Sequence, residues 1–267
     1  MARRGRKCQS MGDGHKSAFG MPTPPRSAWL RWIADLVYPP ACPGCGVILA
    51  GQPSFCATCW REIRFIERPY CEVLGIPFGY NPGEGMVSAE AIATPPVFDR
   101  LRSVAIHEGP VRHLVHGLKY RDRTDLAPMM AAWMLRASER HVLECDGIVP
   151  VPLHRWRFAG RKFNQSAELA RHLAHLSGRP FLPATLVRVK KTARQVGLTA
   201  RRREENVRAA FKVVPGREMD VAGNHLVLVD DVFTTGATVS SATRALKKAG
   251  AAEVTVLTFA MAIAGPI

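Results

Sequence analysis

The chain has 267 residues, 47% of them hydrophobic, which is enough for one large domain, or a domain with an appendage, built on a real core. No run of about 18 apolar residues is present, so no spanning helix is expected. The net charge of +15 favours anionic partners: nucleic acid, acidic lipid or phosphorylated small molecules. No compact apolar stretch follows the basic start, so no secretory signal is expected and the protein is read as cytoplasmic.

Taken in chain order, residues 1–26 are rich in Gly, Ser, Pro and Arg without periodicity and read as a disordered basic tail. "AWLRWIADLV" reads as a short helix stopped by "YPP". Four cysteines follow as "CPGC" and "CATC", a C-x2-C-x10-C-x2-C array. Without a secretory signal this pattern indicates metal rather than disulfides, and Cys42, Cys45, Cys56 and Cys59 together suit a closed, structural Zn²⁺ site. Residues 61–100, rich in Gly and Pro, read as a linker or irregular lobe, so 27–100 forms a zinc-ribbon and linker region and 101–267 the main domain. Cys8, Cys71 and Cys145 have no evident partner.

In the main domain "GPVRHLVHGLKY" puts Val111, Leu114, Val115 and Leu118 on one helical face, with His113 and His116 read as surface or core residues rather than ligands. Asp125 is the expected cap of a helix reaching about residue 142, with Met129, Met130, Trp133 and Met134 on its apolar side. "DGIVPVPL" reads as a buried strand, and Asn164 as the cap of the next helix. "ATLVRV", "AFKVV", "HLVLV" and "EVTVLTFAM" read as strands, with a helix over 238–249. Helices alternating with solid apolar strands predict an α/β fold with a parallel sheet covered on both faces.

The informative stretch is "HLVLVDDVFTTGATVSS". A buried strand ends on two adjacent carboxylates, at the strand end where open α/β sheets bind ligands. The turn after it supplies hydroxyls from Thr234, Thr235 and Thr238, close backbone approach at Gly236, and a helix N-terminus from Ala237 onward: a cradle for one phosphate. Neither a Walker A lysine nor a G-x-G-x-x-G fingerprint is present. Carboxylates only accept, so Asp230 and Asp231 suit a vicinal diol, with Mg²⁺ nearby to relieve their repulsion. The ligand this describes carries a phosphate and a ribose diol.

"VLVDDVFTTGAT" resembles the phosphoribosyl-pyrophosphate (PRPP) motif of type I phosphoribosyltransferases. "HGLKYRDRTDLAP", "VPVPLHRWRFAGRKFNQS" and "KKTARQVGLTARRREENVRAAFKV" are similar in turn to segments of the ComF family, in which a cysteine-rich segment precedes a phosphoribosyltransferase-like domain. The resemblance implies a type I phosphoribosyltransferase-like parallel sheet flanked by helices, with a small N-terminal zinc ribbon. It assigns the ribose hydroxyls to Asp230 and Asp231, and the 5-phosphate to Thr234, Thr235, Gly236, Ala237 and Thr238. Pyrophosphate falls to Pro152, Leu153, His154 and Arg155, with Arg157, Arg161 and Lys162 in reserve. Lys190, Lys191, Arg194 and Gln195 belong to a basic segment that suits a loop closing over PRPP, and Lys190 and Arg194 join the acids as catalytic candidates. That segment also reads as a nucleic-acid face. The implied activity is phosphoribosyl transfer to an unknown nitrogen acceptor with release of pyrophosphate. The competing reading is a non-catalytic accessory protein of competence and DNA uptake that binds single-stranded DNA beside a helicase-type protein. The family often carries further cysteine pairs, whereas here Leu74 stands where a partner of Cys71 is expected.

Overall fold

In a computed structural model the chain is described over residues 39–50, 54–153, 163–189 and 209–263. The helix expected over 28–37 lies outside these residues, as do His154, Arg155, Arg157, Arg161, Lys162, Lys190, Lys191, Arg194 and Gln195. From Ala41 onward the chain forms one compact unit.

Its centre is a four-stranded, wholly parallel sheet made of β1 (Arg100–Ile106), β2 (Gly147–Pro150), β5 (His225–Phe233) and β6 (Glu253–Met261), in the order β1-β6-β5-β2. β5 is apolar on both faces because both faces are covered. Leu226 and Leu228 enter one core with Val239, Ala242 and Leu246 of α7 (Ala237–Lys248), and Val227 and Val229 enter a second. That second core holds Leu114 and Leu118 of α3 (Gly109–Tyr120), Met130 and Met134 of α4 (Ala127–Ala137), and Leu169 and Leu173 of α6 (Gln165–Ser177). α5 (His141–Glu144) is a single turn.

Three expectations change. Asp125 does not cap α4: it lies in a 3₁₀ turn (Thr124–Leu126) and is held by Arg123 at 2.7 and 2.8 Å, while α4 ends at Ala137 instead of running on to 142. "ATLVRV" and "AFKVV" contribute β3 (Leu186–Arg188) and β4 (Phe211–Val213), which pair antiparallel with each other outside the main sheet. β1 is a strand at a place where none was expected. Arg102 interrupts its apolar pattern yet is buried, because it pairs with Glu72 at 2.7 Å and lies over the Tyr70 ring at 4.7 Å.

Residues 61–100 are also more ordered than an irregular linker. Two knuckles repeat one geometry. In the first, Ala41 bridges Ile48, the Cys42 N–H donates to Val47 O, and Gly46 turns back to Cys42 O. In the second, Tyr70 bridges Pro77, the Cys71 N–H donates to Ile76 O, and Gly75 turns back to Cys71 O. Each knuckle leads to a short helix: α1 (Ala57–Glu62), capped by Cys56, and α2 (Ala89–Ala93), capped by Ser88. The cap N–H donates to the knuckle sulfur in both, Cys56 to Cys42 Sγ at 3.4 Å and Ser88 to Cys71 Sγ at 3.2 Å. The register therefore matches Leu74, Ser88 and Ala91 to Cys45, Cys56 and Cys59. The second knuckle keeps one cysteine, and Cys71, Leu74 and Ala91 are buried in the apolar core.

This lobe covers the outer edge of β1. The Ile66 N–H donates to Val104 O, that of Ile106 to Arg64 O and that of Leu101 to Val73 O. With the opposite edge of β1 paired to β6, the strand is bonded on both sides.

Candidate active site and metal centre

β5 does not stop at Asp230. It continues in register with β6 through Phe233, so both acids sit within the last four residues of the strand. Phe233 lies next to the turn Thr234–Gly236. Gly236 adopts φ 71° and caps α7 with no side-chain bond, and a Cβ there would meet the Phe233 ring at 2.9 Å. Glycine is thus required twice over, by conformation and by space. The first N–H groups of α7 point out of a turn whose Thr234 and Thr235 are exposed.

The acids are surrounded by groups from three elements. Lys119 Nζ of α3 lies 2.9 Å from Asp231 Oδ2, and Asp231 is buried. Ser166 Oγ of α6 donates to Asp230 Oδ1 at 2.9 Å, as does the Asp231 N–H. Asn164 fixes Ser166: its Oδ1 accepts the Ser166 N–H and its Nδ2 donates to Val151 O, tying α6 to the end of β2. β2 runs beside β5, with Pro150 opposite Val229 and the Val151 N–H donating to Val229 O, and Pro152 and Leu153 follow directly.

The electrostatics follow from this packing. Burial, reinforced by the Asp231 charge, pushes the Asp230 carboxyl up to about 7. Burial works against the Lys119 ammonium, but the Asp231 charge, their hydrogen bond and the Asp230 charge outweigh it and hold Lys119 above its ordinary value. His107, just after β1, is held below its usual range by burial and by the Lys119 and Arg112 charges. The repulsion between adjacent carboxylates is thus relieved by the protein itself.

Of the residues expected from sequence, Asp230, Asp231, Thr234, Thr235, Gly236, Ala237 and Thr238 fall in one stretch from the end of β5 into the first turn of α7, and Pro152 and Leu153 follow the end of β2, the strand beside β5. His154, Arg155, Lys190 and Arg194 fall outside the described residues. The ends of the segment bearing Lys190 and Arg194 are drawn together by the β3–β4 pair and by Val189 N–H to Ala210 O. Lys119 and Ser166 were not anticipated in these roles. Both lie in the quoted "HGLKY" and "FNQS" segments, but only the fold brings them to the acids.

The second centre is the first knuckle. The sulfurs of Cys42, Cys45, Cys56 and Cys59 lie within 4.8 Å of one another, and those of Cys45 and Cys56 are 3.7 Å apart. Four thiolates at Zn–S of about 2.3 Å place sulfurs about 3.8 Å apart, so the set fits tetrahedral zinc. N–H groups of Cys56 and Cys59 donate to Cys42 and Cys56 sulfurs, as thiolate ligands require. His113 is not a ligand; its Nδ1 lies 2.7 Å from Gly44 O.

A structural zinc ribbon joined to a phosphoribosyltransferase-type domain is the class of protein that this fold and these sites define. Family models agree on both halves, a double zinc ribbon domain over residues 33–91 and a phosphoribosyl transferase domain over 167–266. The chain is 37% identical to the DNA utilization protein YhgH of Salmonella typhi, over 83% of this chain and 96% of that one. It is 28% identical to competence protein F of Haemophilus influenzae, over 79% and 92% respectively. Among solved structures, the glutamine PRPP amidotransferase of B. subtilis matches half of this chain and 25% of its own at 26% identity, with a TM-score of 0.33. The protein belongs to the ComF family. Among the described residues no helix is long and apolar enough to cross a membrane.

Proposed function

We infer that this protein binds PRPP and transfers its phosphoribosyl group to a nitrogen nucleophile, releasing pyrophosphate. The observation that carries the reading is the arrangement of two carboxylates, one salt-bridged to Lys119 and one bonded to Ser166, immediately before a Gly236-capped helix N-terminus. Asp231 and Asp230 accept hydrogen bonds from the ribose hydroxyls, and the turn Thr234–Thr238 donates to the 5-phosphate. Pro152 and Leu153 lead into the segment assigned to pyrophosphate. Bond breaking leaves positive charge on the ribose, and acids that hold its hydroxyls would offset that charge. Mg²⁺ belongs with the pyrophosphate of the incoming ligand, whose negative charge it offsets. The acids have their own counter-ion in Lys119. Calorimetry with PRPP and Mg²⁺ tests binding, and pyrophosphate release across nitrogenous acceptors tests turnover. No heat on PRPP addition to the zinc-loaded protein ends this reading.

A second reading rests on a different surface. Trp60, about half exposed, clusters with Phe55, Phe65 and Trp133 at ring separations of 5.3–6.3 Å. Trp60, Phe65 and Trp133 line a groove of 500 Å³ with Arg61, Arg68 and Arg136, the last two paired with Glu139 and Glu67. Aromatic faces beside guanidinium groups suit stacked bases of single-stranded DNA, with a helicase-type partner in cytoplasmic DNA uptake. Gel shifts with single strands over a salt series decide it, and no shift at low salt removes it.

A further inference from the structure

One helix touches both centres. α3 begins against the zinc knuckle: a Cβ on Gly44 would meet Cys59 Sγ at 2.9 Å and Pro110 Cβ, in the first turn of α3, at 3.1 Å. A turn later His113 Nδ1 meets Gly44 O at 2.7 Å. A carbonyl only accepts, so Nδ1 carries the proton and donates. Six residues further along, a rise of about 9 Å, Lys119 reaches Asp231 at 2.9 Å. Val111, Leu114, Val115 and Leu118 clamp the same helix to the core between these contacts. The knuckle backbone that bears Cys42 and Cys45 and the cation facing the acids are therefore two ends of one rigid element.

We propose that His113 is a positioning residue through which the zinc knuckle sets the axial and rotational placement of α3, and so the engagement of Lys119 with Asp231. The ligand in this coupling is that of the PRPP reading, whereas the coupling through α3 does not depend on it. The thiolates around zinc fix the Cys42–Cys45 turn, the turn fixes the Gly44 carbonyl, and His113 transmits that position along the helix. Metal occupancy and ligand affinity are then coupled although neither zinc nor cysteine touches the ligand.

The test uses the full chain, zinc-loaded, with zinc content verified by mass spectrometry. His113→Ala should weaken PRPP binding about 5- to 30-fold, within the usual range of coupling between sites. His113→Asn, whose amide can replace the Nδ1–H donor, should restore most of the loss, which a mere packing role would not allow. In a Lys119→Gln background His113→Ala should add almost nothing, because its route is already cut. Amide exchange across residues 117–121 should quicken in zinc-loaded His113→Ala with or without PRPP. Unchanged exchange there overturns the coupling, as do additive effects of the two substitutions on affinity. Absence of PRPP binding by the unsubstituted protein would instead sink the functional reading and leave the exchange measurement to decide this one.

Discussion

The residue with the most to lose is Asp230. Its carboxyl is pushed up to about 7 from an ordinary value of 3.8, so folding favours its protonated form. A group raised in the folded state contributes its stability below the unfolded value and loses it as pH rises through the folded one. The native state should therefore weaken between about pH 4 and pH 7 on account of this side chain. Asp230→Asn removes that penalty and should raise Tm at pH 8 by about 2–6 °C while leaving Tm at pH 4 nearly unchanged; melts at the two pH values decide it. The same substitution should impair PRPP binding, the usual exchange of stability for a charged site. Asp231→Asn differs, since it strands Lys119 without its partner. It should cut PRPP affinity by at least about tenfold, as expected when a charged hydrogen bond is lost, and calorimetry reads it. The sequence displayed the acids plainly because they interrupt a solid apolar strand. It gave no role to Lys119 or Ser166, which stand 112 and 64 positions from their acids and meet them only through packing.

At the scale of elements, the two knuckles show what a metal site becomes when its ligands are replaced. Leu74, Ser88 and Ala91 occupy the places of three thiolates, and the second knuckle is closed by burial of Cys71, Leu74 and Ala91 with Phe98 and Leu101. The chain should accordingly bind one zinc, and mass spectrometry of the native protein should return a stoichiometry of one. A chelator should loosen the first knuckle and leave amide protection around Cys71 intact. From sequence this half-lobe looked irregular because a lone cysteine carries no spacing. β1 was missed for a related reason: Arg100, Arg102 and Ser103 break the apolar run, and the Glu72 that pairs with Arg102 and the Tyr70 ring beneath it lie 30 and 32 residues earlier. β5, β6 and α7 were legible because their patterns are local, an apolar run in the strands and a helical spacing closed by glycine in α7. The turn before α7 makes its own prediction. Gly236→Ala forces a left-handed conformation on alanine and drives its Cβ into Phe233. It should cost about 1–3 kcal/mol of stability and weaken binding of the phosphate end, measured by denaturant melts and by competition with inorganic phosphate.

At the scale of the molecule, the ribbon lobe and the sheet are bonded as one body from Ala41 onward. A chain beginning near residue 99 would lose the covering of β1 and expose Leu101 and the other apolar side chains that pack under Tyr70 and Phe98. Uncovered strand edges invite pairing with other chains. Such a truncation should be recovered largely as aggregate, whereas the full chain stays dispersed; size-exclusion chromatography distinguishes them.

The pairing of β1 has a further implication for how the chain is made. Its sheet neighbour β6 is the last strand of the described chain, some 150 residues downstream. As translation proceeds, β1 leaves the ribosome long before that neighbour exists, and long-range pairing of this kind is slow to form. The amino-terminal lobe is already synthesised by then, and it occupies one flank of β1 throughout the wait. Its contribution begins before any substrate can bind, as an internal guardian of a nascent strand.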